Sequence, residues 1–271
     1  MRHVPFDPPN GLSGEQLEWW SNWLRRAENC QKILLDNYNN GKEVEFDSSV
    51  WRDLKDWLLV NVFDKKCAYC ESAIRAIYPG DGEHYRPKGN VTVKVDGAKK
   101  RVLDSAGLSH PGYFWLAYNW RNLLPACFAC NNAKSDQFPV SKTHVCKLAP
   151  GPVDLNLEEE PLLICPYLEE PDEFLVFGEG GVVAARNGDP RGLATIEVFD
   201  LNREDLRDER QKRQEAVKAT LAMAIVRALS EDKPIDDIGE YLDGWIDAAA
   251  PYSKAVRSYA ELRLAALPRT L

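Results

Sequence analysis

With 271 residues, 44% hydrophobic and 28% charged, the chain has the composition of a packed globular protein, which excludes a disordered or fibrous one, and its length accommodates two modest domains. No apolar run reaches the roughly 18 residues that span a bilayer and the opening MRHVPFDPPNG has no signal-like stretch, so a membrane protein is excluded and a cytoplasmic location expected. The net charge of −8 speaks against a polyanionic partner only as a total: from Lys65 to Lys147, 13 Lys and Arg stand against 6 Asp and Glu, a local +7 that leaves −15 for the rest.

In chain order, Ser13-Gly-Glu-Gln reads as an N-cap opening a helix to about Tyr38, and a second helix is predicted over Ser48–Val60. Trp19, Trp20, Trp23, Trp51 and Trp57 recur at roughly helical spacing and should pack the two helices together. Val91–Leu103 alternates valine with polar residues around Asp96-Gly97, the signature of a surface hairpin. Between Gly151 and Gly180 lie nine acidic residues and no basic ones; this run should be solvated and face away from phosphate. Short strands are expected at Phe174–Phe177 and Gly181–Ala184, and helices over Leu206–Leu229, Ile235–Ala248 and Tyr252–Leu267. The predicted division is an N-terminal helical segment (1–62), a central core (63–150) and a C-terminal region of short strands and helices (151–271), suited to binding a partner or to self-association as a homo-oligomer, and equally to capping the central core.

Seven cysteines in a reducing compartment are not a disulfide framework. Cys67-Ala-Tyr-Cys70 and Cys127-Phe-Ala-Cys130 form two Cys-x-x-Cys knuckles whose four thiolates can converge on one tetrahedral zinc. Four sulfurs leave no place for water, so this zinc should be structural. The 56 residues between the knuckles, 71–126, are far more than a zinc ribbon uses, so something substantial is held there. His110, His144, Cys146 and Cys165 are too irregularly spaced to predict a second metal site.

Between the knuckles lie Glu83-His84-Tyr85-Arg86-Pro87-Lys88 and Trp120-Arg121-Asn122-Leu123-Leu124-Pro125, the latter running into Cys127-Phe-Ala-Cys130-Asn131-Asn132-Ala133-Lys134. In order and composition these motifs resemble the HNH nuclease family, whose site is a hairpin followed by a helix, often braced by a zinc on two Cys-x-x-Cys pairs. With Tyr113–Tyr118, Pro161–Pro171 and Thr195–Arg203 the likeness extends to the HNH subunit of Septu-type and retron-associated anti-phage systems. The resemblance implies an α+β fold with a ββα-metal (HNH, treble-clef-like) core and a four-cysteine zinc site, embedded in a largely helical protein. It also implies endonuclease activity, nucleic acid as substrate, DNA before RNA, and an ATPase partner. A zinc-stabilised interaction module with a degenerate core is the alternative.

Residue by residue, His84 could take a proton from water at neutral pH, as the family's first histidine does. Glu83 and Asn131 offer hard oxygens suited to Mg²⁺ or Mn²⁺, with Asn132 an alternative to Asn131. The family commonly has Asp where Glu83 stands and often His where Asn131 stands, so the motif here is His-Asn-Asn. Asn122 takes the family position whose amide holds the hairpin backbone. Arg86, Lys88 and Lys134 are expected to contact phosphate, while Asp136 either orients Lys134 or adds a ligand.

Overall fold

The computed structural model describes residues 1–74, 78–146, 154–230, 243–247 and 249–265. Helix α1 (Gly14–Asn39) follows Ser13, which has the extended backbone of an N-cap but makes no side-chain cap bond. Helix α2 (Ser48–Asn61) is capped instead by Asp47, whose carboxylate accepts from the Ser49 amide at 2.9 Å. The two helices meet through their tryptophans. Trp20, Trp23 and Trp57 are buried, Trp19 stacks on Trp57 with centroids 5.1 Å apart, and the Trp23 indole donates to Val50 O at 2.8 Å. Trp51 departs from the expectation. It lies on the other side of α2, its ring edge-on to His84 at 5.1 Å.

Strand β1 (Asp81–His84) is the element against which that side of α2 packs, and Gly82 is what permits it. A Cβ there would stand 3.1 Å from Trp51 O, so the bare backbone lets helix and strand approach. The predicted hairpin forms as β2 (Thr92–Val95) and β3 (Ala98–Arg101). Asp96 and Gly97, with φ of 51° and 80°, make the two-residue turn whose twist matches the strands. Strand β4 (Leu123–Ala126) returns to pair antiparallel with β1, Glu83 opposite Leu124 and His84 opposite Leu123, so all of 85–122 is inserted between the two. Helix α3 (Phe128–Lys134) follows directly.

Beyond lie α4 (Leu155–Glu159), β5 (Leu175–Phe177) paired with β6 (Val183–Ala185), α5 (Pro190–Val198), α6 (Glu204–Ser230), α7 (Asp243–Ile246) and α8 (Ser253–Ala265). The helix expected at Ile235–Ala248 coincides with α7 near its end and otherwise falls outside the described residues, as does the boundary near Pro150. The result is a mixed α+β architecture with small two-stranded sheets. One core cluster runs from Trp20 and Leu54 through Tyr69, Leu124 and Phe138 to Leu163, Phe199 and Ala255; a smaller one joins α6 to α8 through Val217, Leu221, Val256 and Tyr259. No helix among the described residues is long and apolar enough to cross a membrane.

The acidic run is not uniformly solvated. Glu159 is fully buried, ion-paired to Arg86 at 3.0 Å and accepting from Tyr113 Oη at 2.6 Å and the Val145 amide at 2.8 Å. A buried carboxylate persists only with such partners, and they come from sequence-distant segments.

Candidate functional site

The four cysteines converge. The Sγ atoms of Cys67, Cys70, Cys127 and Cys130 lie within 4.8 Å of one another, with Cys70 and Cys127 at 3.6 Å. Tetrahedral zinc with bonds of about 2.3 Å sets its sulfurs roughly 3.8 Å apart, so the donor set fits such an ion, and the cluster can hold a metal such as zinc. The first knuckle is fastened to β4 by the Ala68 amide on Pro125 O at 2.9 Å, while Cys127 and Cys130 begin α3. The sulfurs gather positive charge. Hydrogen bonds from Cys127, then Cys130 and Cys67, hold the Cys70 thiol well below its usual range. Arg203 donates to Cys130 Sγ at 3.6 Å and Cys127 Sγ at 3.9 Å; burial works against its charge, but the neighbouring sulfurs hold its guanidinium above the ordinary range. Its only sequence signal was its place in the Thr195–Arg203 motif.

Strand alternation divides β1. Asp81 and Glu83 face α3, where the Asn131 Nδ2 group donates to Asp81 Oδ2 at 2.8 Å and Lys134 Nζ pairs with Glu83 Oε1 at 2.5 Å. A carboxylate only accepts, so this bond turns the Asn131 amide nitrogen towards Asp81 and leaves its carbonyl oxygen for other ligands. Asp81 also accepts from Tyr78 Oη at 2.6 Å. Sequence reasoning did not name Asp81, yet it stands two residues before Glu83 on a strand, and period two puts both on one face. Burial raises the Glu83 carboxyl pKa, with Lys134 opposing.

Gly82 and His84 face the other way. His84 is buried beside Trp51, and its Nε2 lies 3.0 Å from Ala117 O. A carbonyl cannot donate, so Nε2 carries the proton and the neutral ring presents Nδ1 as a bare acceptor. Burial first, and the Lys88 charge second, lower the His84 pKa to about 3. Asn122 clasps the chain after β1: its Oδ1 accepts the Arg86 amide at 2.7 Å and its Nδ2 donates to Arg86 O at 3.0 Å.

The three cations named from sequence part company. Lys134 is wholly buried, spanning Glu83 and His84 O at 2.8 Å, which makes it a strut between β1 and α3 instead of a phosphate ligand on the surface. Arg86 is likewise interior, held by Glu159 and by Asn156 Oδ1 at 2.9 Å. Only Lys88 keeps partial exposure, its ammonium 4.9 Å from the Trp51 ring centroid. Asn132 is exposed. Asp136 neither orients Lys134 nor joins Glu83: its Oδ1 accepts from Thr92 Oγ1 at 2.8 Å. His110 spends both ring nitrogens on Gly112 N and Val145 O.

This interior has measurable consequences for stability. Lys134→Met should cost about 3–5 kcal/mol in chemical denaturation because it strands the buried Glu83 carboxylate, and adding Glu83→Gln should recover most of that loss. Unaltered stability of the single variant would rule out the strut. On acidification, an unfolded His84 takes up a proton near 6.5 and the folded one only near 3, so stability present above about 6.5 should drain away as pH falls towards 3. Glu71, buried but paired with the Met1 amino group at 2.7 Å, has a carboxyl lowered from 4.5 to about 2 and adds a second loss between those values. Glu83, shifted the opposite way, offsets part of it. A melting temperature that does not change between pH 7 and 4 would contradict this assignment.

No family model and no solved structure matches the chain. It is 35% identical over 174 residues to the Septu protein PtuB of Bacillus mycoides (strain KBAB4), a match covering 63% of this chain and 55% of PtuB. It is 30% identical over 144 residues to the Septu protein PtuA of the same strain, covering 52% of this chain and 18% of PtuA. The chain thus spans about half the length of the first relative and under a fifth of the second.

Proposed function

We propose that the chain is an HNH-type endonuclease that hydrolyses phosphodiester bonds of nucleic acid, DNA before RNA, and that it serves anti-phage defence beside an ATPase partner, as its similarity to Septu proteins supports. The observation that carries the chemistry is the fixed tautomer of His84, Nε2 tied to Ala117 O and Nδ1 left as the base, on a strand whose other face bears Asp81 and Glu83. In this reading a water proton passes to Nδ1 as the water oxygen bonds to phosphorus. The bond from phosphorus to the 3′-oxygen breaks and solvent protonates that oxygen, leaving a 5′-phosphate and a 3′-hydroxyl.

Glu83, through the carboxylate oxygen that Lys134 does not take, and Asn131, through its Oδ1, would hold Mg²⁺ or Mn²⁺, which when bound stabilises charge at the phosphate. Lys88 is the nearby cation free to meet the substrate. Zinc held by the four cysteines would have no position left for water and would serve as a brace. The C-terminal helices are the surface we assign to partner docking or self-association. Against the alternative of a decayed interaction module stands the intact polar set: decay would relax the pressure to keep a buried glutamate and histidine beside an oriented amide.

The test is to incubate the full chain, alone and with its ATPase partner, with plasmid DNA and with RNA in Mg²⁺ or Mn²⁺, and to analyse products on gels. We expect cleavage to 5′-phosphorylated ends, and brief mild chelation to stop it before any loss of near-ultraviolet circular dichroism, because the hard cation is held more weakly than zinc. No cleavage in any combination would overturn the enzyme reading.

A further inference from the structure

We propose that the β2–β3 hairpin is a phosphate-tracking arm that binds the backbone of a nucleic acid running past the site; this rests on the phosphodiesterase reading and adds where the substrate lies. The strand register places Lys94 directly opposite Lys99, and strand alternation sets Arg101 on the same face as Lys99. Like charges opposed across two strands disfavour the hairpin. Packing does not compensate. Ala98–Arg101 are all exposed, of β2 only Thr92 is buried, and an isolated two-stranded hairpin is at best marginally stable in water. The arrangement costs folding free energy that a polyanion lying on this face would return.

Internal neutralisation is slight. Asp96 sits at the tip, and Glu197 on α5 pairs with Lys94 at 2.8 Å, both side chains more than 40% exposed, an ion pair that phosphate can displace at little cost. Among the described residues Lys99, Lys100 and Arg101 have no ion-pair partner. Placement matters as much as charge. The foot of the hairpin is clamped by the Thr92 amide on Asp136 O at 2.9 Å, by Thr92 Oγ1 on Asp136 Oδ1 at 2.8 Å and by the Phe138 amide on Thr92 O at 3.0 Å. Asp136 follows closely on Lys134, the residue holding Glu83 and the His84 carbonyl, and Lys88 lies between His84 and the hairpin in sequence. The arm therefore rises from the edge of the candidate site, and its cations take the role that the buried Arg86 and Lys134 do not fill.

The experiment measures binding of the full chain to a fluorescent 20-base-pair DNA duplex without Mg²⁺ or Mn²⁺, across a salt series, and separately its cleavage activity. Three proteins are compared with wild type: Lys94→Gln/Lys99→Gln/Arg101→Gln on the proposed face, the charge-preserving Lys94→Arg/Lys99→Arg/Arg101→Lys, and Arg25→Gln/Lys32→Gln/Lys218→Gln, which removes the same charge elsewhere. The neutralised hairpin should bind about 10-fold or more weakly near 0.1 M salt, with a slope of log affinity against log salt shallower by about 2–3. The other two should follow wild type. Equal weakening by the distant triple, or wild-type affinity of the neutralised hairpin while the wild-type protein cleaves, would overturn the arm and leave the nuclease reading standing. A wild-type protein that neither binds nor cleaves would remove both.

Discussion

Replacing Cys127 by serine is expected to abolish stoichiometric zinc in the purified protein and, with it, the cooperative unfolding transition of the region around β1, β4 and α3. A structural zinc in a small domain supplies about 10–16 kcal/mol, comparable to the whole net stability of a typical domain, about 5–15 kcal/mol. Here the ion would join the turn at Cys67–Cys70, which is hydrogen-bonded to β4, to the first turn of α3. Serine offers a hard, weakly acidic oxygen in place of a soft thiolate and would leave three sulfurs gathered without a metal ion, only Arg203 beside them. Elemental analysis for zinc and thermal unfolding of the variant read the outcome. A variant with full zinc content and an unshifted melting temperature would eliminate the four-cysteine centre.

His84→Ala is the second large effect, expected to lower the cleavage rate by about 10²–10⁴-fold, the usual contribution of a positioned general base. The fold should survive, since the His84 side chain makes one hydrogen bond and its ring leaves a gap that Trp51 borders; circular dichroism separates lost chemistry from lost structure. The pH profile gives a sharper signature. In the free protein the acid limb of kcat/KM should fall well below the ordinary histidine value of 6.5, because burial and Lys88 depress His84. An arriving phosphodiester is an anion that offsets the Lys88 field, so the acid limb of kcat should lie above that of kcat/KM. Coincident limbs near 6.5, or an alanine variant of undiminished rate, would take His84 out of the reaction.

Local pattern made part of this molecule legible. Helices α1, α2 and α6 and the Asp96-Gly97 hairpin follow from periodicity and turn chemistry, which involve residues near one another in the chain. The duplicated Cys-x-x-Cys spacing foretold the cluster. What escaped depends on distant partners. Lys134 and Arg86 read as surface cations until Glu83 and Glu159 are seen opposite them, and burial of a charge is decided by its counter-charge, not its neighbours in sequence. Glu159 hid within an acidic run for the same reason. Trp51 shared its helical spacing with the core tryptophans, but the surface it covers is a strand paired across an insertion. Asp81 escaped because Asp81-Gly-Glu-His84 has no alternating apolar residues to mark it as a strand.

The distance between the knuckles also has a meaning in time. Cys127 leaves the ribosome 57 residues after Cys70, which at about 5–20 residues per second is a wait of roughly 3–11 s. Through that interval the first pair of thiols has only half a coordination sphere, and β1 has no strand to pair with. Capture of a metal by all four sulfurs would therefore be a late step of biosynthesis, and the nascent chain would be most open to oxidation or to the wrong metal while the inserted residues 85–122 are still being made. Arg203 follows Cys130 by a further 73 residues, so the sulfurs receive their guanidinium last.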